Sequence, residues 1–305
     1  MDKQKIADTA EVVVGTDGTD IAFQAVAWAA TEARLRGVLL RIVHAAPYMI
    51  PANDAGRRRA AAILRRAYTV AHQHEPHVPT HTQRIDAEPV RALVDTSSNA
   101  EMLVVGLRRQ RLDEVIIGSV ALAVSGAARC PVTVVRAQRS SAYLVGPVLL
   151  GVEDVAVDAP AVTVAFADAQ RRQTRLIALH TQRDSLQERT TGRGAQTAAE
   201  DALTEQLAPW RSCYPKVPVE VRVMHGEPGT ELLLAADTAS LVVVGSHGRS
   251  APARLLLGST SRLVVKRSPC PVTVVRWDTV VGDIPPRPSA STTSQTGAVS
   301  WSVQN

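Results

Sequence analysis

The chain has 305 residues, of which 45% are hydrophobic and only 3% aromatic, so we expect two domains with aliphatic cores. Its net charge of +5 is spread among interspersed acids, with few aromatic rings to stack on bases, which argues against nucleic-acid binding. No run of about 18 apolar residues occurs, so no membrane span is predicted. Three cysteines without a Cys-x-x-Cys pair, and an N-terminus without an apolar signal core, favour a cytoplasmic location.

The first half of the chain alternates short apolar strands with helices, after a leader of residues 1–10. Capping residues at 16–20 open the first helix, Gly37 closes it, and Pro89 begins a later one. This alternation predicts βαβ units and a mainly parallel sheet. The predicted strands are 11–15, 38–45, 80–86, 102–106 and 132–136, and the predicted helices are 21–36, 54–74, 89–97 and 119–128.

The same order of elements recurs in the second half of the chain. Gly15 returns as Gly151, Gly106 returns as Gly245, and the segment CPVTVVR of residues 130–136 returns at 270–276. Two copies of one domain are the economical explanation. We therefore predict domains at 11–137 and 147–277, a linker at 138–146, and a disordered tail rich in Ser, Thr and Pro at 278–305.

A glycine-rich stretch after the fourth strand of the second copy has the clearest ligand-binding pattern. It contains Gly245, Gly248 and Gly258, followed by Ser259 and Ser261 where a helix should begin. Glycines let the backbone approach a ligand closely, and a helix N-terminus favours an anion. A phosphate cradle at the C-terminal edge of the sheet and a pair of ordinary strand-to-helix turns both fit this spacing.

With these motifs, the chain resembles tandem universal stress proteins of the actinobacterial type over about residues 11–137 and 147–277. The second copy carries the family signature G-x2-G-x9-G-[ST], flanked by GSHGR and by GSTSRLVVKRSPCPVTVV, and the first copy opens with VVVGTDGT. The resemblance implies an α/β fold with an open five-stranded sheet of order 3-2-1-4-5 in each copy and helices on both faces. It also implies that the copies pair through their last strands as an internal pseudo-dimer.

Members of the signature-bearing branch bind ATP, so the resemblance implies ATP, with Mg²⁺, as the ligand. In that branch the acid after the first strand lies near the ribose and metal, backbone after the second strand meets adenine, and the glycine loop holds the phosphates. The implied cofactor-binding residues are Gly15, Asp17, Ala45, Gly106, Gly118 and Ser119 in the first copy, and Gly151, Glu153, Thr181, Gly245, Gly248, Gly258, Ser259 and Ser261 in the second.

Each copy departs from the family pattern in a different place. In the first copy Arg109 stands where the middle glycine belongs, and Ala121 occupies the position that Ser261 has in the second copy. In the second copy the phosphate loop is complete, but Glu153-Asp154-Val155 replaces Asp17-Gly18-Thr19. We expect the second copy to be the better ATP site, because charge-assisted contacts with phosphate are strong.

The remaining reactive residues indicate structural roles. His72, His74, His77 and His81 lack a completing carboxylate or cysteine pattern, so no metal site is predicted, and His44 and His180 are expected to form hydrogen bonds. Cys130 and Cys270 are expected to be buried thiols. The arginines of the second helix are expected to form a solvated face; they are Arg57, Arg58, Arg59, Arg65 and Arg66.

No Walker motif, Ser-His-Asp set or other nucleophile–base pair is present, so no catalytic residue is assigned and the protein is not expected to be an enzyme. We expect an ATP-binding regulatory protein of the stress response. A nucleotide-independent scaffold that binds a protein partner is the alternative, and a weak ATPase is a third hypothesis. The partner stays unidentified at this stage, and a further homodimer stays open.

Overall fold

A computed structural model of the chain describes residues 10–47, 54–107, 119–136, 146–182, 193–246 and 257–282. Its first half contains the strands Glu11–Gly15 (β1), Leu39–Ala45 (β2), Thr80–Ile85 (β3), Met102–Leu107 (β4) and Val132–Arg136 (β5), and the helices Asp20–Arg36 (α1), Asp54–His74 (α2), Pro89–Thr96 (α3) and Ser119–Ala127 (α4). Its second half contains the strands Val148–Gly151 (β6), Leu176–Gln182 (β7), Val219–His225 (β8), Leu241–Gly245 (β9) and Val272–Val275 (β10), and the helices Ala159–Arg171 (α5), Arg193–Gln206 (α6), Ala208–Cys213 (α7), Pro228–Ala235 (α8) and Ser259–Arg267 (α9).

The helix boundaries follow the predicted capping residues. The side chain of Thr19 accepts a hydrogen bond from the N–H of Ala22 and begins α1. Gly37 ends the same helix with φ +69°, a left-handed conformation that favours glycine. Pro89 occupies the first turn of α3, where its missing N–H costs no intrahelical hydrogen bond. These three predictions are confirmed.

All ten strands form one sheet in the order β3-β2-β1-β4-β5-β10-β9-β6-β7-β8. Within each half every pairing is parallel, and the order 3-2-1-4-5 implied by the family resemblance is confirmed. The halves meet where β5 pairs antiparallel with β10, with Thr133 opposite Thr273. The two predicted sheets are therefore joined through their last strands into a continuous one.

Helices cover both faces of the sheet. On one face, apolar side chains of α3, α4, α8 and α9 share a single core that extends across both halves; they include Leu93, Val124, Leu232 and Val264. On the other face, α1 and α2 cover the first half, and α5, α6 and α7 cover the second. Trp28 of α1 packs against the cores of both halves on this face, so it contributes to the contact between domains.

A cluster of charged side chains, most of them buried, joins α1 to the end of α5. Nη2 of Arg36 lies 2.7 Å from Oδ1 of Asp168 and 3.5 Å from Oε2 of Glu32, while Arg172 pairs with the other oxygen of Glu32. Both carboxylate side chains are only 1% exposed. Burial alone would lower the pKa of Arg36, but the charges of Asp168, Glu32 and Glu101 outweigh it and raise the pKa. The guanidinium therefore stays charged inside the interface.

The described chain continues to Gly282, within the stretch predicted as the start of the tail. Thr279 is buried at 4% exposure, and Asp278 accepts hydrogen bonds from the guanidinium of Arg276. The rest of the predicted tail, most of the leader and residues 138–145 of the predicted linker lie outside the described residues. Among the described helices, none is long and apolar enough to cross a membrane.

Candidate functional site

The predicted site residues gather at the C-terminal ends of the parallel strands in each domain. Gly15 and Gly106 end or nearly end the adjacent strands β1 and β4, and Gly151 and Gly245 do so in β6 and β9. Loops at this edge of an open α/β sheet commonly form ligand sites. Because β5 and β10 run antiparallel, the two candidate sites lie at opposite edges of the joined sheet.

In domain 2 the two ends of the signature loop lie together. The N–H of Gly258 donates to the carbonyl oxygen of Ser246 at 2.8 Å, and the hydroxyl of Ser261 donates to the carbonyl oxygen of Gly245 at 2.6 Å. These two bonds join the start of α9 to the end of β9. The residues between, including Gly248, and the first-domain residues Arg109 and Gly118, lie outside the described residues.

The first turn of α9 presents backbone donors at this point. Gly258 precedes the helix with φ −59° and ψ 160°, and among the described residues no side chain caps it. The first N–H groups of a helix have no intrahelical acceptor and carry the positive end of the helix dipole. Ser259 is exposed, whereas Ser261 is 5% exposed and its hydroxyl donates inward to Gly245. The structure thus brings Ser259 to the surface and gives Ser261 a bond that closes the loop.

The loop after β6 differs from its first-domain counterpart through Asp158. Oδ2 of Asp158 accepts hydrogen bonds from the N–H groups of Glu153, at 2.9 Å, and Asp154, at 3.2 Å. Helix α5 begins at Ala159, three residues later than the repeat offset from α1 would place it. The carboxylate of Glu153 remains exposed. Asp158 was not predicted as a site residue, although an Asp two residues before Pro160 is a helix-start signal.

The buried carboxyl group of Asp158 is unusually weakly acidic. Asp158 is only 7% exposed to solvent. Burial raises its pKa to about 6, against the opposing effect of the two backbone N–H donors, and the nearby carboxylates of Glu153 and Asp154 raise it further. The loop that carries Glu153 is therefore held by a carboxyl group whose pKa lies well above the ordinary aspartate value.

In domain 1 the loop after β1 follows the family pattern more closely. Oδ1 of Asp17 accepts hydrogen bonds from the N–H of Thr19 at 2.9 Å and from its hydroxyl at 2.6 Å, and Asp17 itself is exposed. Gly18 has φ +84°, and a Cβ built on it would lie 2.8 Å from the Ile63 side chain of α2. Ile63 therefore packs directly over this turn. Ser119, also predicted, is the first residue of α4.

Three of the predicted glycines are accounted for by packing within the fold. A Cβ on Gly15 would lie 3.0 Å from the Leu93 side chain, and one on Gly151 would lie 2.8 Å from that of Leu232. A Cβ on Gly106 would lie 3.1 Å from the backbone oxygen of Ile21 in the first turn of α1. These contacts favour glycine independently of a ligand, most clearly at Gly106, where the neighbouring atom belongs to the backbone.

The second-strand histidines make the same hydrogen bond in both domains. Nδ1 of His44 donates to the carbonyl oxygen of Thr16 at 2.7 Å, and Nδ1 of His180 donates to that of Val152 at 3.0 Å. Since a carbonyl can only accept, the proton lies on Nδ1 in each ring. The hydrogen-bonding role predicted for both residues is confirmed. The following residues, Ala45 in domain 1 and Thr181 in domain 2, are half-buried, each at the edge where the site of its own domain lies.

The remaining reactive groups do not assemble into a second centre. Cys130 and Cys270 are buried, and burial raises the pKa of Cys130 to about 12 and that of Cys270 to about 11. Cys213 is exposed. Within the described ranges no group of three or more His, Cys, Asp or Glu side chains is arranged to hold a metal ion.

Comparison with known proteins agrees with this architecture. A model of the universal stress protein family matches residues 10–136 and, a second time, residues 145–276. The chain belongs to the universal stress protein family. The resemblance inferred from the sequence motifs is thereby confirmed, including its tandem character.

Relatives in this family align with nearly the whole folded chain. A universal stress protein of Mycobacterium tuberculosis (strain H37Rv) is 33% identical over 287 residues, covering 87% of this chain and 96% of the relative. One from Mycolicibacterium smegmatis is 35% identical over 290 residues with the same coverage. The crystal structure of a universal stress protein from Archaeoglobus fulgidus is 18% identical, covers 88% of this chain and 98% of that one, and shares the fold with a TM-score of 0.68.

Proposed function

We propose that this universal stress protein binds ATP in domain 2 and acts in the cytoplasm as a nucleotide-dependent regulator of the stress response. The two hydrogen bonds that join the described ends of the signature loop support this proposal most directly. The bonds from Gly258 to Ser246 and from Ser261 to Gly245 hold an uncapped helix start against a strand end. Such a helix N-terminus suits the phosphates of a nucleotide.

The surrounding residues fit the rest of the nucleotide. Glu153 follows the adjacent strand β6, and its exposed carboxylate is available to the ribose or to a Mg²⁺ ion, which prefers oxygen ligands. Thr181, near the end of the next strand β7, would lie at the adenine end. Mg²⁺ bound there would reduce the charge repulsion between the carboxylate and the phosphates.

Domain 1 is proposed to bind ATP more weakly or not at all. Ile63 packs on Gly18, which puts an apolar side chain beside the turn that carries Asp17. In the sequence, Arg109 also replaces the middle glycine of the loop. The acidic end of the site is kept in Asp17, but the phosphate end is altered.

Thermal unfolding with and without MgATP tests the proposal. At a ligand concentration 100 times the dissociation constant, binding stabilises the folded state by about 2.7 kcal/mol, which raises the melting temperature by several degrees. Gly248→Arg, which copies the first-domain loop, should remove this shift. Gly282→Arg makes the same change at a position with open space around it and should keep the shift. An unchanged wild-type melting curve at millimolar MgATP would contradict the proposal.

The nucleotide-independent scaffold remains the second candidate, and one observation favours it. Asp158 already occupies the N–H groups of Glu153 and Asp154 at the ribose end of the domain 2 site. Mass spectrometry of small molecules that co-purify with the native protein separates the two candidates, because a scaffold would carry no nucleotide. Steady phosphate release that Ser259→Ala abolishes would instead indicate an ATPase and contradict our proposal of a non-enzymatic role.

A further inference from the structure

Helix α2 exposes a basic surface. Its outward side carries Arg58 and Arg65, seven residues apart and opposite the buried residues Ala60, Leu64, Ala67 and Ala71. Arg57 and Arg59 are exposed beside them. Among the residues that the structure describes, none of these four arginines makes an ion pair. The only acid in the helix is Asp54, in its first turn.

Helix α6 occupies the corresponding place in domain 2, but the charged residues on its outward side are acidic. Asp201 and Glu205 are exposed, four residues apart, on the side opposite the buried Leu203. Within the described part of the chain, neither carboxylate makes an ion pair. When the helices are aligned on Leu64 and Leu203, Arg58 and Arg65 correspond to the uncharged Thr197 and Thr204. The repeat has therefore diverged into one basic and one acidic outer helix.

The two helices lie on the same face of the sheet, at its opposite ends. Helix α2 packs on the outer strands β2 and β3, and α6 packs on β8. Helices α1 and α5 lie between them and are joined by the ion pair of Arg36 with Asp168. Within this helical layer the outer helix of domain 1 is basic and the outer helix of domain 2 is acidic.

We propose that two copies of the chain associate through this layer, with α2 of each copy packed against α6 of the other. The two-fold axis that relates the copies runs parallel to the strands and lies above the helical layer. Rotation about it places the α2 end of one copy over the α6 end of the other, so both α2–α6 contacts form at once. The contact is self-complementary and closes at two copies, as expected for an isologous interface. The partner for the basic helix is therefore the acidic helix of a second copy of this chain.

Electrostatics selects this arrangement over the other ways of stacking the layer on itself. A two-fold axis perpendicular to the strands would place α2 on α2 and bring like charges together. Pairing of exposed charges is sensitive to salt, because the Debye length falls from about 10 Å at 0.1 M ionic strength to about 3 Å at 1 M. We expect the dimer dissociation constant to rise at least about tenfold over this range.

Charge reversal combined with sedimentation provides the test. The wild-type chain should sediment at twice its 32.6 kDa mass at low ionic strength. Arg58→Glu with Arg65→Glu should give a monomer, and so should Asp201→Arg with Glu205→Arg. An equimolar mixture of the two variants should form a heterodimer. The acidic α2 of one variant then meets the basic α6 of the other, and the second contact pairs the two unchanged helices. The chain with all four substitutions should form a homodimer again.

A variant with the same charge change elsewhere on the surface serves as the control. Arg91→Glu with Arg129→Glu makes the same charge change at exposed positions outside this helical layer and should leave the dimer intact. Circular dichroism of each variant checks that it is folded. A monomeric wild type, a mixture that stays monomeric, or a series of larger species from open-ended association would overturn the proposal. Retention of a monomer on heparin through α2 would point to another anionic partner and would also overturn it.

Discussion

The hydroxyl groups of Thr133 and Thr273 lie 2.8 Å apart at the centre of the domain interface. Both residues are fully buried, and they are directly opposite each other in the antiparallel pair of β5 with β10. They occupy the same position in the two repeats, so the pseudo-two-fold axis of the molecule passes between them. A polar contact at the symmetry point of an apolar interface specifies the register of the two strands.

Thr133→Val should destabilise the protein by about 1–3 kcal/mol, because it leaves the hydroxyl of Thr273 buried without its partner. Replacing both threonines by valine should cost less than the sum of the two single changes. Urea unfolding of the two single variants and the double variant measures this coupling. Thr82→Val, at an exposed position in β3, is the control and should change stability little. Strict additivity would contradict a direct interaction.

Arg36→Met should destabilise the folded chain by about 3–5 kcal/mol, because it leaves the carboxylates of Asp168 and Glu32 buried with less compensating charge. Arg175→Met is a matched control, since Arg175 is 55% exposed and lies 3.9 Å from Glu220. Exposed pairs contribute at most about 1 kcal/mol. Equal losses for the two variants in urea unfolding would show that burial of the cluster has no energetic effect.

Asp158→Asn should stabilise the protein at pH 8 but not near pH 4. The pKa of Asp158, about 6 in the folded protein, lies above the ordinary aspartate value, so the folded state holds this proton more tightly than the unfolded state. Its contribution to stability is present at low pH and is lost as the pH rises through about 6. Asparagine cannot ionise, yet its oxygen can accept the same N–H groups.

The measurement is the free energy of unfolding of wild type and variant across this pH range. We expect a difference of up to about 3 kcal/mol at pH 8. The same substitution at exposed Asp237 should give no such trend. A difference that is constant with pH would contradict the coupling of Asp158 ionisation to folding.

Native-state alkylation should modify Cys213 long before Cys130 and Cys270. Cys213 is exposed, whereas burial raises the pKa of the other two thiols well above neutrality and shields them from reagent. Peptide mass spectrometry after iodoacetamide treatment gives the order of modification. Unfolding in urea should make all three react at similar rates. Early modification of Cys270 in the native protein would contradict its burial.

The repeat and its capping residues allowed much of the fold to be predicted. Strand β5 and helix α2 begin and end at the predicted residues, and Gly37 ends α1 as expected. The family resemblance supplied the strand order and the pairing of the last strands. These features depend on local signals or on the repeat, both of which are visible in one sequence.

The charged cluster and the role of Asp158 could not be predicted in the same way. Glu32 and Arg36 have the spacing of an ordinary solvated pair on a helix, and they become buried only when α1 meets α5. Asp158 stands where the first repeat has Ala22, and its hydrogen bonds depend on the delayed start of α5. Similarly, only the structure reveals that Ile63 packs on Gly18.

The antiparallel contact between β5 and β10 gives the molecule two unlike ends. The described site residues of domain 1 lie at one edge of the joined sheet, and those of domain 2 lie at the other edge. The full length of the strands separates these two sets of residues. A protein that docks at one edge would meet only one of the two loop sequences. A near-symmetric scaffold therefore has two chemically different edges.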